Sequence, residues 1–286
     1  MTGSLDRRGF LTIGAAGAAG FLVAGCSSDD DVATTSSTTT TASPTTVAAG
    51  SGGGTATTVA SGSAVGTELT AADFASLGTC LLMTEKTAGP FPLDEQFDRR
   101  DITEGSEGHP LRLGLRVLDE GCAAISGAKV EIWHCDATGD YSAFIDNGGG
   151  KDDGPGTTFL RGTQTANDEG IVEFATIYPG WYSGRAVHIH LRVHIDDETV
   201  LSSQLFFDAD DTATVYEEGP YSDHGLPDTS NEADSIAGDV VKEGSLLVTT
   251  ALVNVDGNAG MLGLLNLGVD PSARSSESGG RGPSGT

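Results

Sequence analysis

His188-Ile189-His190-Leu191-Arg192-Val193-His194-Ile195 alternates polar and aliphatic residues without a break. A period of two sends successive side chains to opposite faces of a strand, so the four aliphatics line one face and three histidines and an arginine line the other. The same period runs through Leu111-Arg112-Leu113-Gly114-Leu115-Arg116-Val117 and through Lys129-Val130-Glu131-Ile132-Trp133-His134. Asp119-Glu120-Gly121, Asn167-Asp168-Glu169-Gly170 and Asp256-Gly257-Asn258 are turn clusters that separate such runs. Short strands at this spacing predict an all-β antiparallel sandwich or barrel, with short peripheral helices at Ala71–Ser76 and Ala233–Val241.

Outward from this core the chain falls into four segments. Residues 1–26 read as an export signal: Asp6-Arg7-Arg8-Gly9-Phe10-Leu11 has the twin-arginine pattern, and Leu22-Val23-Ala24-Gly25-Cys26 the form of a lipobox. Residues 27–68, nearly all Ser, Thr, Ala, Gly and Val, hold too little apolar surface to offset ordering entropy and read as a tether. Residues 69–268 form the domain, and 269–286, rich in Ser and Gly, read as a second loose tail. The expectation is an extracytoplasmic protein whose membrane contact is a lipid on Cys26. No apolar run reaches the ~18 residues that a spanning helix needs.

The 286 residues carry 41 acidic side chains against 15 Lys and Arg, a formal charge of −26. Such a surface repels phosphate, which excludes nucleic acid as a partner, and it offers no basic patch to an anionic membrane. With Cys26 assigned to the lipobox, Cys80, Cys122 and Cys135 remain, so at most one disulfide forms and one thiol is left over. The pairing is open, as is the oligomeric state, a homodimer among the options.

Two stretches carry chemistry. On a strand His188 and His190 share a face, with Cβ atoms about 7 Å apart, a spacing from which two imidazoles converge on one ion. Just before them, Tyr178-Pro179-Gly180-Trp181-Tyr182-Ser183-Gly184-Arg185 supplies tyrosines and an arginine at a turn. The second stretch, Gly127–Ser142, is a strand that breaks at Asp136–Gly139 and presents Tyr141 past the turn. Two phenols with two imidazoles make an all-N/O donor set, and hard anionic phenolates favour a trivalent ion such as Fe(III).

These stretches resemble the intradiol ring-cleavage dioxygenases, the family of protocatechuate and catechol dioxygenases, and most closely its exported branch. The resemblance rests on ordered blocks: Gly89-Pro90-Phe91-Pro92, Gly127–Ser142, Phe159-Leu160-Arg161-Gly162, Asn167–Gly170, Phe174–His190 and Ser203-Gln204-Leu205-Phe206-Phe207. It implies an immunoglobulin-like β-sandwich. It implies Fe(III) held by Tyr141, Tyr182, His188 and His190, with Tyr182, Arg185 and Gln204 acting in catalysis. Arg185 would stabilise negative charge on the substrate ring, and Gln204 would stand in the second sphere. The implied reaction inserts O2 into a catechol-type aromatic to give a muconate-type diacid. Only five residues separate Tyr182 from His188, where the cytoplasmic members carry a longer substrate-lining insertion. The competing reading is a non-catalytic ligand-binding sandwich module.

The remaining candidates read more plainly. Tyr178 competes with Tyr182 as a ligand, but the family register puts an apolar residue at 178. His134 reads as a packing histidine, and His194 shares the face of His188 and His190 without carboxylates spaced for a zinc hydrolase. His109 and His224 read as exposed, and Asp208–Asp211 and Glu217-Glu218 as solvated loops.

Overall fold

The computed structural model describes residues 67–78, 81–144, 154, 156–238, 246–253 and 259–276. The leader, Cys26, the tether as far as Gly66, Cys80 and most of the Gly-rich loop after Tyr141 lie outside these residues. Eight strands are described: β1 (Pro110–Leu118), β2 (Lys129–Trp133), β3 (Arg161–Thr165), β4 (Ile171–Ile177), β5 (His188–Ile195), β6 (Glu198–Phe206), β7 (Val248–Val253) and β8 (Ala259–Gly268). They form two four-stranded sheets, ordered β4-β1-β8-β7 and β3-β2-β5-β6. The fold is an all-β sandwich.

The period-two reading explains which side chains meet. Leu111, Leu113, Leu115 and Val117 of β1 enter one apolar core with Val130 and Ile132 of β2 and Ile189, Leu191 and Val193 of β5. Each such buried aliphatic contributes about 2 kcal/mol of transfer free energy. One pairing corrects the antiparallel expectation: β1 runs parallel to β8, with Leu113 opposite Gly263. The other pairs are antiparallel. A parallel pair needs a long crossover, and here the crossover contains the whole second sheet.

The outer face of the first sheet is covered too. Leu69 and Phe74 pack with Ile171, Leu262 and Leu264, over Gly114, where a Cβ would lie 2.3 Å from Leu69 Cδ1. The expected helix at Ala71–Ser76 is instead a run of tight turns, with Phe74 N donating to Ala71 O. Of the second expected helix, residues 233–236 are turns and a bend, Ala237 and Gly238 are helical, and 239–241 lie outside the described residues. Two helices are described from end to end, α1 (Ala209–Val215) and α2 (Tyr221–His224). The acidic run expected to be a solvated loop starts α1: the Asp208 side chain caps it by accepting from Asp210 N, and Asp210 and Asp211 fill the first turn.

The second sheet turns its polar face away from the core, and residues 86–99 run along it. Lys86 N donates to Ser202 O, and Thr163 N to Phe97 O. The chain past β8 stays attached: Val269 N donates to Leu118 O, and Ser275 N to Thr199 O. Glu85 accepts from Ser275 Oγ at 2.7 Å and Ser276 N at 2.8 Å. The loose tail expected from Val269 is therefore packed as far as Ser276. Cys122 is disulfide-bonded, and Cys135 is a buried free thiol.

Candidate metal centre

The site grows out of one row across the second sheet. Arg161, Trp133, His190 and Gln204 stand opposite one another on β3, β2, β5 and β6. The alternation that buries Ile189 and Leu191 in the core sends His188 and His190 to this outer face. His190 lies flat on Trp133, ring centroids 5.0 Å apart and planes 1° from parallel. Gly89 approaches the same imidazole from the covering segment. Its φ is +72°, and a Cβ there would lie 3.0 Å from His190 Cε1.

Tyr141 arrives by the break after β2. Asp136 closes that turn by accepting at Oδ1 from Thr138 N and Asp140 N. Beyond the turn the Tyr141 ring is fully buried and stacks on Phe91 at 4.4 Å. Arg161 locks this corner, donating to Ser142 Oγ, Ser142 O and Phe91 O. Tyr182 comes from the other side, on the turn before β5, its ring 5.8 Å from Tyr141 and edge-on to it. Arg185, one turn further, donates to Tyr182 Oη at 3.1 Å and to Gln204 Oε1 at 2.5 Å.

The donor atoms converge. His188 Nε2 lies 3.1 Å from His190 Nε2 and 3.4 Å from Tyr141 Oη. His188 Nδ1 donates to Ala186 O, which leaves a lone pair on Nε2 aimed at the cluster. Nδ1 of His190 is buried with no hydrogen-bond partner among the described residues. Burial and the Arg185 charge push His188 down to about 3, and burial, His188 and Arg185 push His190 well down, so both rings are neutral. Burial raises the Tyr141 and Tyr182 phenols, with Arg185 opposing it. Separations of 3.1 and 3.4 Å suit the edges of a coordination shell whose bonds run about 2.1 Å. Neutral imidazoles and desolvated phenols are also groups that a cation would stabilise. The residues fit a metal ion of the phenolate-binding kind.

The structure thus brings together Tyr141, Tyr182, Arg185, His188, His190 and Gln204. The competitors lie elsewhere. Tyr178 is buried against Phe207 and shares a hydrogen bond with Thr212 Oγ1. His134 bonds Cys135 O and Thr176 Oγ1. His194 keeps the face of His190 but stands four residues further along β5, opposite Lys129 of β2 and Thr199 of β6, where its Nδ1 meets Thr199 Oγ1. His109 and His224 are half-buried rather than exposed: His109 pairs with Glu218, and His224 lies against Trp181 and contacts its carbonyl. Among the described residues, no three His, Cys, Asp or Glu are grouped to hold a metal. The sequence reading passed over Asp234, whose Oδ2 accepts from Arg185 Nε at 2.8 Å. It also gave Arg161 and Phe91 no role, although both sat in quoted motifs.

A sandwich carrying a Tyr, Tyr, His, His cluster on its outer face presents an all-N/O donor set beside a half-buried arginine. Comparisons narrow the reading. A family model described as Dioxygenase matches residues 92–217. An intradiol ring-cleavage dioxygenase from Tetranychus urticae superposes with a TM-score of 0.63 at 32% identity, over 69% of this chain and 98% of that one. The chain belongs to the intradiol ring-cleavage dioxygenase family. It is 30% identical over 149 residues to the chlorocatechol 1,2-dioxygenase of Rhodococcus opacus, covering 45% of this chain and 51% of that protein. It is 31% identical over 130 residues to the protocatechuate 3,4-dioxygenase beta chain of Burkholderia cepacia, covering 42% and 54%. The chain therefore spans about half the length of these curated relatives.

Proposed function

We propose that this domain cleaves a catechol-type ring between its two hydroxylated carbons, with O2 as co-substrate and Fe(III) held by Tyr141, Tyr182, His188 and His190. The observation that carries the reading is the convergence of His188 Nε2, His190 Nε2 and Tyr141 Oη beside Tyr182 and Arg185. Fe(III) held by these four side chains would supply Lewis acidity that favours deprotonation of the catechol hydroxyls. The other parts belong to the chain. Tyr182 is less deeply buried than Tyr141 and already hydrogen-bonded to Arg185, so with iron bound its phenolate form would be the group placed to accept a catechol proton. Arg185 then faces the substrate ring with a fixed cation, lowering the cost of negative charge developing there. Gln204 Oε1 holds one arm of that guanidinium, and its own amide donates to Thr87 O. Phe91, stacked on Tyr141 and edge-on to Tyr182, keeps water from that side. The product is a muconate-type diacid.

The twin-arginine and lipobox patterns support an extracytoplasmic place for this reaction. A non-catalytic module is the weaker reading, because every donor and the arginine are kept in register. The test is a visible spectrum of the full chain after Fe(III) loading, with and without catechol under anaerobic conditions. A red-brown tyrosinate-to-iron band that shifts with catechol is expected. Tyr182→Phe should change that band and abolish turnover while the fold persists. Protein that stays colourless after loading, or Tyr182→Phe with unchanged colour and turnover, refutes the assignment.

A further inference from the structure

Arg185 is held from behind by a carboxylate contributed from far along the chain. Its Nε donates to Asp234 Oδ2 at 2.8 Å, and the Asp234 side chain is wholly out of solvent. Backbone donors collect around that carboxylate: Ala186 N at 2.8 Å on Oδ2, Ile236 N at 2.7 Å and Ala237 N at 3.1 Å on Oδ1. Burial by itself raises its pKa, but these hydrogen bonds outweigh burial and hold the carboxyl below the usual range. A guanidinium is planar, so fixing Nε toward Asp234 fixes where both terminal nitrogens point. Here they point at Tyr182 Oη, His188 Nε2 and Gln204 Oε1. The same carboxylate oxygen binds Ala186 N, the residue next to the arginine, so side chain and backbone are registered by one atom. Asp234 lies beyond the stretch matched by the family model, which ends at residue 217. It is supplied by the segment between α2 and β7.

We propose that Asp234 is the positioning residue for Arg185, setting the direction in which its charge meets the substrate ring. The proposal rests on the ring-cleavage reading. It predicts a split between turnover and binding, because a misdirected guanidinium loses its hold on charge that develops only during the reaction.

The experiment uses the full chain loaded with Fe(III), in wild-type form and as Asp234→Asn, Asp234→Ser, Arg185→Gln and Arg185→Gln/Asp234→Asn. Asp234→Ser keeps a side-chain oxygen for the Ile236 and Ala237 N–H groups while deleting the charge. Either Asp234 variant should lower kcat for catechol by about 10- to 100-fold, the usual scale for misplacing a catalytic group. Anaerobic catechol affinity, followed by the visible band, should change less than about 3-fold. In the Arg185→Gln background, Asp234→Asn should change kcat by less than about 2-fold, since residues that act through one another are not additive. Equal loss in both backgrounds overturns the proposal. So does unchanged kcat with a lowered Tm, or failure of both Asp234 variants to fold, since each assigns Asp234 to holding its segment alone. Absence of turnover in the wild-type protein sinks the ring-cleavage reading and this proposal with it, whereas wild-type turnover with any of the preceding results sinks the proposal alone.

Discussion

Gly89→Ala tests whether the covering segment is part of the metal centre or only lies beside it. Two costs follow from the geometry. A non-glycine residue at φ +72° pays about 1–2 kcal/mol for the left-handed backbone. The new Cβ would stand 3.0 Å from His190 Cε1, so the imidazole would have to give by a few tenths of an ångström. The imidazole has little room to retreat, because Trp133 lies flat against it. Such overpacking adds about 1 kcal/mol or more. The total of about 3 kcal/mol corresponds to a Tm lower by about 6–12 °C for a domain of this size. A displaced His190 should also lower the iron bound per chain and shift the visible band. Gly127→Ala is the internal control: its φ is +80°, but nothing lies within 4 Å of the added Cβ. That variant should pay the backbone cost alone, about 1–2 kcal/mol, and keep its iron. Thermal unfolding and metal analysis of the two proteins side by side decide the matter. If they match in Tm and iron content, the contact with His190 carries no weight and the reasoning is wrong.

Tyr178→Phe should cost about 1 kcal/mol through the lost hydrogen bond to Thr212 while leaving the iron band in place, which separates this tyrosine from Tyr182; a changed spectrum would make Tyr178 part of the centre. Burial pushes His134 down to about 4, so the folded chain keeps it neutral where the unfolded chain takes up a proton near pH 6.5. Its contribution is whole above pH 6.5 and is lost at about 1.4 kcal/mol per pH unit as pH falls toward 4. Urea unfolding at pH 7, 5.5 and 4.5 should therefore show a shallower loss for His134→Gln, and parallel curves would contradict the shift.

The fold was legible where neighbours in sequence decide it. The alternation in His188–Ile195 needs only strand geometry and an apolar interior, and it already separates the histidine face from the core. Parallel pairing of β1 with β8 was not legible, because neither strand's pattern says which distant strand lies beside it. His194 shows a finer limit: the period puts it on the face of His188 and His190, but it stands four residues along β5 from His190, opposite Lys129, and so lies apart from the cluster. In the candidate site, the shared face of His188 and His190 followed from spacing. Tyr141 and Tyr182 needed the family register, since nothing local tells a ligand phenol from a buried one such as Tyr178. Asp234 left no local signal, because its purpose lies in an arginine far upstream.

The order of the first sheet bears on how the molecule comes into being. β8, the last described strand along the chain, sits between β1 and β7 rather than at an edge. Until it has been synthesised, β1 has β4 beside it but lacks its inner neighbour, and β7 has no partner within the sheet. The polypeptide emerging from the ribosome therefore cannot complete this layer in stages, and pairings so distant along the chain close slowly. Completion of this layer waits for β8. The second sheet, by contrast, has all its strands before β7 begins, so it is the layer on which the late strand closes.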